Sequence, residues 1–277
     1  MNILVIPDVH LKPWMFERAS EIMKTGAADR AVCLMDIPDD WGKETYLNLY
    51  GDTFDAAIRF QQDHPDTLWC YGNHDLSYVW MQNESGFSVY AIPVVQMKLR
   101  ELQEAIPDGQ LAYIHRIDNV LFMHGGLTDD FARTFVLEDD LIDMYMSMDA
   151  DDAAAGAEGG SADGIAGGNA AGAAVGRKYR DMYNDTDYVI DKINRMGKAE
   201  IWNNDSPIWA RPQLNADKMY RQDKLLQVVG HTPVDNIYRA ENVVSCDVFS
   251  TYKDGSPIGT QEYLLIDTIS WECRGIK

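Results

Sequence analysis

NILVIPDVH, residues 2–10, is an apolar β-branched run that stops at Pro7 and then delivers an acid and a histidine. A short, continuous apolar run closed by a turn residue reads as a strand buried on both faces. The same pattern recurs. AVCLM (31–35) leads into Asp36, TLWCYG (67–72) into Asn73, His74 and Asp75, NVLFM (119–123) into His124, and LLQVVG (225–230) into His231. NVVSCD (242–247) and EYLLID (262–267) add two further strand-like runs. Amphipathic stretches with helical spacing, around 14–25, 44–62 and 92–106, separate the early runs. Strands alternating with helices predict an α/β fold. The strand-dense C-terminal part predicts mixed sheets, packed as a β-sandwich core flanked by α-helices.

Length and composition bound the rest. The 277 residues are 46% hydrophobic and 25% charged, ordinary for a soluble globular chain. No apolar run approaches the ~20 residues that span a bilayer, and MNILVIPDVH lacks a basic n-region and a cleavage site. Cys33, Cys70, Cys246 and Cys273 show no C-x-x-C spacing, and three of them sit in apolar runs, which points to a reducing cytoplasm. The net charge of −20 repels nucleic acid and anionic membranes. It also repels phosphate esters, so a phosphate site would need concentrated positive charge, which bound metal ions can supply. In 151–176, DDAAAGAEGGSADGIAGGNAAGAAVG, 18 of 26 residues are Ala or Gly, with almost nothing to bury. Its composition reads as a flexible insertion within one domain spanning 1–277.

Each of the first five strand-like runs ends on a potential metal ligand, and ligand sites in α/β sheets form beyond the carboxyl ends of strands. Four of the six histidines stand at these ends. His64 and His115 lie in polar or alternating contexts and read as surface or strand residues. Asp8 and His10, two apart, face the same way if the chain is extended there.

The ordered set D-V-H (8–10), D-x-x-D (36–39), G-N-H-D (72–75), H-G-G (124–126) and G-H-T-P (230–233) resembles the signature of calcineurin-like metallophosphoesterases. That resemblance implies two divalent ions, Mn first, with Fe, Zn or Ni as alternatives. Asp8 and His10 would hold the first ion, Asp36 would bridge both, and Asn73, His124 and His231 would hold the second. Such a pair shares and acidifies a water, the nucleophile on phosphorus. His74 would protonate the leaving group, with Asp75 orienting its imidazole.

H-G-G-L (124–127), G-H-T-P without a second histidine, and S-P-I-W-A-R-P (206–212) look closer to the phosphoprotein-phosphatase branch, which includes bacterial Ser/Thr phosphatases and symmetrical dinucleoside tetraphosphatases. In that branch an Arg after a Trp grips the phosphate, a role Arg211 fits as a bidentate donor. The second motif departs from the branch's G-D-x-x-D-R-G: Met35 replaces the first Gly, Asp40 the Arg and Trp41 the last Gly. Asp40 then reads as a turn residue, and Trp202 and Trp209 as core or as stacking platforms. The expected activity is metal-dependent hydrolysis of a phosphate ester on a phosphoprotein, nucleotide or small metabolite. A dinucleoside polyphosphate hydrolase or phosphodiesterase is the alternative, and a non-catalytic metal-binding scaffold a further one.

Overall fold

The computed structural model describes residues 1–137, 178–214 and 216–277. The Ala/Gly-rich stretch 151–176 lies outside these residues. In chain order the described strands are β1 (Asn2–Ile6), β2 (Arg30–Cys33), β3 (Leu68–Cys70), β4 (Leu111–Ala112), β5 (Ile114–Ile117) and β6 (Val120–Met123). They continue with β7 (Leu226–Val229), β8 (Tyr238–Ala240), β9 (Val243–Ser245), β10 (Tyr263–Asp267) and β11 (Cys273–Ile276). Four helices frame the first half: α1 (Trp14–Lys24), α2 (Leu47–Asp63), α3 (Asn73–Trp80) and α4 (Ile92–Ala105).

Both sheets are mixed, as the sequence predicts. One runs β11-β10-β1-β2-β3-β4, with β1 to β4 parallel and β10 antiparallel to β1. The other runs β5-β6-β7-β9-β8, parallel at its centre. Strand periodicity of two sorts the side chains of each central strand onto opposite faces. Ile3, Val5, Val32, Val120, Phe122, Leu226, Val228 and Leu264 meet between the sheets. Leu4, Ile6, Cys33 and Trp69 face α1, α2 and α4 on one outer side. Leu121, Met123 and Val229 pack outward on the other, against the helix Thr186–Asn194. Strands buried on both faces explain why the runs read as continuous rather than alternating.

The parallel pairs bring strand ends to one side. Beyond β1 and β2 the ladder continues as loop pairing: Val9 N–H donates to Met35 C=O at 3.0 Å, His10 to Asp36 at 2.8 Å and Leu11 to Ile37 at 3.0 Å. In the second sheet Gly230 N–H donates to His124 C=O at 2.8 Å. Among the described residues no helix is long and apolar enough to cross a membrane.

Phe122 is fully buried between the sheets. Phe122→Ala is expected to cost about 3–5 kcal/mol, because the two sheets cannot collapse onto the void. Urea denaturation measures it, and a cost below about 1 kcal/mol would contradict a close-packed inter-sheet core.

Candidate metal centre

Five strand-end loops supply the centre. Asp8 and His10 follow β1, Asp36 follows β2, Asn73 opens α3 just beyond β3, His124 follows β6 directly, and His231 follows β7. All six expected ligand residues come together. Ligand atoms of Asp8, His10 and Asp36 lie within 4.8 Å of one another, and so do those of Asp36, His124 and His231. Asp36 belongs to both sets. His124 Nε2 stands 3.1 Å from Asp36 Oδ2, 3.0 Å from Asn73 Oδ1 and 3.2 Å from His231 Nδ1.

Two of the imidazoles are oriented by backbone carbonyls. His10 Nδ1–H donates to Asp39 C=O at 3.0 Å and His124 Nδ1–H to Leu34 C=O at 3.0 Å. A carbonyl only accepts, so Nδ1 carries the proton and Nε2 faces the centre as a free ligand. Convergence of Asp8 and His10 does not come from an extended chain, as the sequence suggested. His10 sits at φ 43° and Leu11 at φ 57°, so the chain turns left-handed and swings the imidazole inward. Asp36 (φ 44°), Asp39 (φ 68°) and His231 (φ 63°) share that conformation, which costs a non-glycine residue roughly 1–2 kcal/mol. Strain of this kind collects where surrounding structure fixes a site.

The donor set passes a test of fit for a cation. Among buried polar side-chain atoms, Asp8 Oδ1 and His231 Nε2 have no hydrogen-bond partner. Asp8 Oδ1 is the orphan that calls for a partner at the convergence, whereas His231 meets the other candidate ligand atoms through Nδ1, 3.2 Å from His124 Nε2. Two glycines give the carboxylates room. A Cβ on Gly72 would meet Asp36 Oδ1 at 2.0 Å, and one on Gly230 would meet Asp8 Oδ1 at 1.9 Å.

Charge in the bare site is shared unevenly. Burial pushes the Asp36 carboxyl up, but His124 and His74 outweigh it and hold Asp36 well below the usual carboxylate range. Asp8 moves the other way, raised by burial and by the buried Asp247. Burial opposes charge on His124, yet Asp36 and Asp8 raise it to about 10. Burial lowers His10 to about 4.

His74 and Asp75, adjacent in sequence, do different things. His74 Nδ1 lies 3.0 Å from Asp39 Oδ2, and the imidazole lines the pocket. Burial disfavours its charge, but Asp36 and Asp39 together raise it to about 9. Asp75 does not orient His74, contrary to the sequence reading. Its carboxylate accepts backbone N–H from Asp36 (2.9 Å), Ile37 (3.1 Å) and Gly72 (3.1 Å). Asp75 therefore caps α3 and fixes the Asp36 loop. Neighbouring residues on a helix point about 100° apart, so one side chain turns back to its own helix start while the other faces out.

The residue that holds His74 is Asp39, and its other oxygen is clamped. Tyr78 Oη–H and Tyr50 Oη–H both donate to Asp39 Oδ1, at 2.6 and 3.1 Å. The D-x-x-D spacing pointed at Asp39 without distinguishing it from a turn residue, and nothing in the sequence marks Tyr50 or Tyr78.

Arg211 reaches the same pocket, a cavity of about 220 Å³ lined also by Trp41, Glu84 and Trp209. Its Nη1 donates to Thr232 Oγ1 at 2.9 Å, next to His231. Trp209 meets the His231 ring edge-on at 5.4 Å, and Trp202 backs Trp209 at 5.4 Å within the outer core. Of the remaining histidines, His64 bonds Ser20 Oγ at 3.0 Å, and His115, buried in β5, bonds Trp69 C=O at 3.0 Å.

The calcineurin-like phosphoesterase profile matches residues 1–154. No curated protein sequence matches the chain. Among solved structures, the fold is similar to the cold-active protein-tyrosine phosphatase of a psychrophilic Shewanella species. That match has a TM-score of 0.54 and 14% identity, covering 100% of this chain and 80% of that one. A protein of Thermus thermophilus is similar at a TM-score of 0.44 and 11% identity, covering 100% of this chain and 98% of that one. The first likeness speaks to the fold alone, and the second is too distant to add to it. With the profile over more than half its length, the chain belongs to the calcineurin-like phosphoesterase family, whose chemistry is metal-dependent hydrolysis of phosphate esters.

Proposed function

We propose that this protein is a phosphatase that cleaves phosphomonoesters at a two-metal centre bridged by Asp36. The observation that carries the reading is the pair of ligand sets meeting at that one carboxylate. Asp8, His10 and Asp36 would hold one ion, and Asp36, Asn73, His124 and His231 the other. Imidazole with carboxylate suits Mn, with Fe, Zn or Ni as alternatives. When bound, the ions supply the charge that holds phosphoryl oxygens and lowers the pKa of the attacking water toward about 7.

The chain's own groups do the rest. His74 donates a proton to the departing oxygen, while Asp39 fixes the ring and stabilises its charge. Tyr50 and Tyr78 hold Asp39 in place. Arg211 is the single arginine or lysine lining the pocket among the described residues, and its guanidinium binds phosphate oxygens. Cavities that enclose drug-sized ligands run from ~300 Å³ upward. The pocket of about 220 Å³ therefore favours a phosphate with a short leaving group over a dinucleoside polyphosphate. The reading takes 1–277 as one domain carrying the 151–176 insertion.

Asp36→Asn is expected to strip metal and slow turnover more than about 100-fold, since loss of an outer partner alone costs 10–100-fold. Metal analysis with nitrophenyl phosphate kinetics checks it, and a variant that keeps two ions and near-native rates removes Asp36 as the bridge. Metal uptake carries a second signature. His124, near pKa 10 in the bare site, is protonated at pH 8 and must become neutral to ligate. Binding at pH 8 should therefore release a proton from His124 in addition to any from bound water, which weakly buffered titration detects, and His124→Asn should lower the release by about one proton.

His74→Asn is expected to retain both ions and to slow an alkyl phosphate about 10²–10⁴-fold, with a much smaller effect on nitrophenyl phosphate, whose leaving group needs no proton. Asp39→Asn and the Tyr50→Phe/Tyr78→Phe pair should show weaker versions of the same selectivity. Equal losses on both substrates would place His74 in phosphate binding instead.

A further inference from the structure

Four carboxylates line the pocket: Asp36, Asp39, Asp40 and Glu84. Three are answered. Asp36 pairs with His124, and Asp39 with His74 and two tyrosines. Asp40 Oδ2 lies 3.6 Å from Lys12 Nζ, and its Oδ1 accepts from Thr251 and from Trp41 N–H. Glu84, half-buried, has no hydrogen-bond or ion-pair partner for its carboxylate among the described residues. An unanswered anion at a phosphate site repels its substrate unless that substrate brings the opposite charge.

Glu84 is also held in a defined place. Its loop joins α3 to α4 and is tied down by Ser88, whose N–H donates to Tyr78 Oη at 2.9 Å and whose Oγ–H donates to Glu44 C=O. A Cβ on Gly86 would stand 3.5 Å from Asp39 Cβ, so the loop lies against the acid that orients His74. Glu84 thus shares the pocket wall with His74, on a loop that lies against Asp39.

A second observation points to a cation. Trp41 lines the same pocket, and its ring already holds one: Lys253 Nζ lies 5.0 Å from the ring centroid. Lys253 is exposed, does not line the pocket and makes no ion pair with Glu84. An aromatic face and a free carboxylate at one mouth, in a chain of net charge −20, form an environment that draws organic cations.

We propose that this pocket selects small phosphomonoesters whose leaving alcohol carries a cationic nitrogen, read by the Glu84 carboxylate and the Trp41 ring that line it. The inference rests on the phosphatase reading above, with His74 on the leaving-group side. The test compares two substrates of the same shape on the Mn-loaded full chain: phosphocholine, and 3,3-dimethylbutyl phosphate, in which carbon replaces the charged nitrogen. An exposed ion pair plus a cation–π contact predicts a roughly tenfold higher kcat/KM for phosphocholine. In Glu84→Gln that ratio should fall toward one, and Trp41→Leu should lower it partway. Equal kcat/KM values for the two substrates, or a ratio unmoved by Glu84→Gln, overturn the proposal while nitrophenyl phosphate turnover keeps the phosphatase reading. If no phosphomonoester is turned over at all, the phosphatase reading falls and takes this inference with it.

Discussion

The Asp36 carboxylate, 2% exposed at the end of β2, is the group around which the rest is arranged. A buried carboxylate is tolerated only when hydrogen-bonded and paired. Asp36 has His124 at 3.1 Å, the His74 backbone N–H at 2.9 Å and the positive end of α3 aimed at it. These partners reverse the effect of burial and keep it ionised. Asp8, equally buried, receives too little. Its pKa rises, and one of its oxygens finds no donor. Within one cavity, one carboxylate is over-answered and the next under-answered, an imbalance that protein donors leave standing and that a cation on the Asp8 side would correct.

Holding that imbalance requires backbone that an unconstrained chain would avoid. Left-handed residues fall on both metal-facing loops of the first sheet, and another falls at His231 across the sandwich. The inter-sheet core makes this possible: Val5, Val32, Phe122 and Val228 fix the strand ends, so the loops cannot relax without disturbing both sheets. Gly72 and Gly230 work in the same direction. Each lets a backbone segment touch a carboxylate at a distance that any side chain would occupy. Asp8 Oδ2 then accepts the His231 N–H at 2.8 Å, which ties the two sheets together at the site itself.

Most of the fold was legible because its central strands are buried on both faces and so stand out as continuous apolar runs. The residues that converge at the candidate centre were legible because each follows such a run. Elements without that contrast were missed. β4 has only two residues, β8 carries Tyr238 and Arg239 toward solvent, and α3 begins on the candidate ligand Asn73, where no amphipathic period precedes it. The exchange of roles between Asp39 and Asp75 was illegible for a different reason. Which of two acids meets a histidine depends on side-chain direction, and direction depends here on a left-handed φ at Asp39 and a helix start at Gly72. Tyr50 and Tyr78 reach Asp39 from two helices, a relation that linear spacing does not encode.

The departure in the second motif has a structural consequence. Where the phosphoprotein-phosphatase motif that the sequence resembles would place a phosphate-gripping arginine, Asp40 stands in the pocket wall, held by Trp41 N–H and Thr251. Its counter-charge, Lys12, is 8% exposed and donates to His10 C=O at 3.0 Å, so the ammonium lies behind the wall rather than in the pocket. Burial lowers the pKa of Lys12 while Asp40 opposes that fall, so the acid helps to keep the ammonium charged. The positive charge on this side is consumed internally and lends nothing to the phosphate. Arg211 is left as the one side-chain cation of its kind at the pocket among the described residues. On the proposed reading, discrimination among substrates shifts from the phosphate, which every candidate shares, to the leaving group, and Glu84 is the pocket carboxylate left without a partner among the described residues.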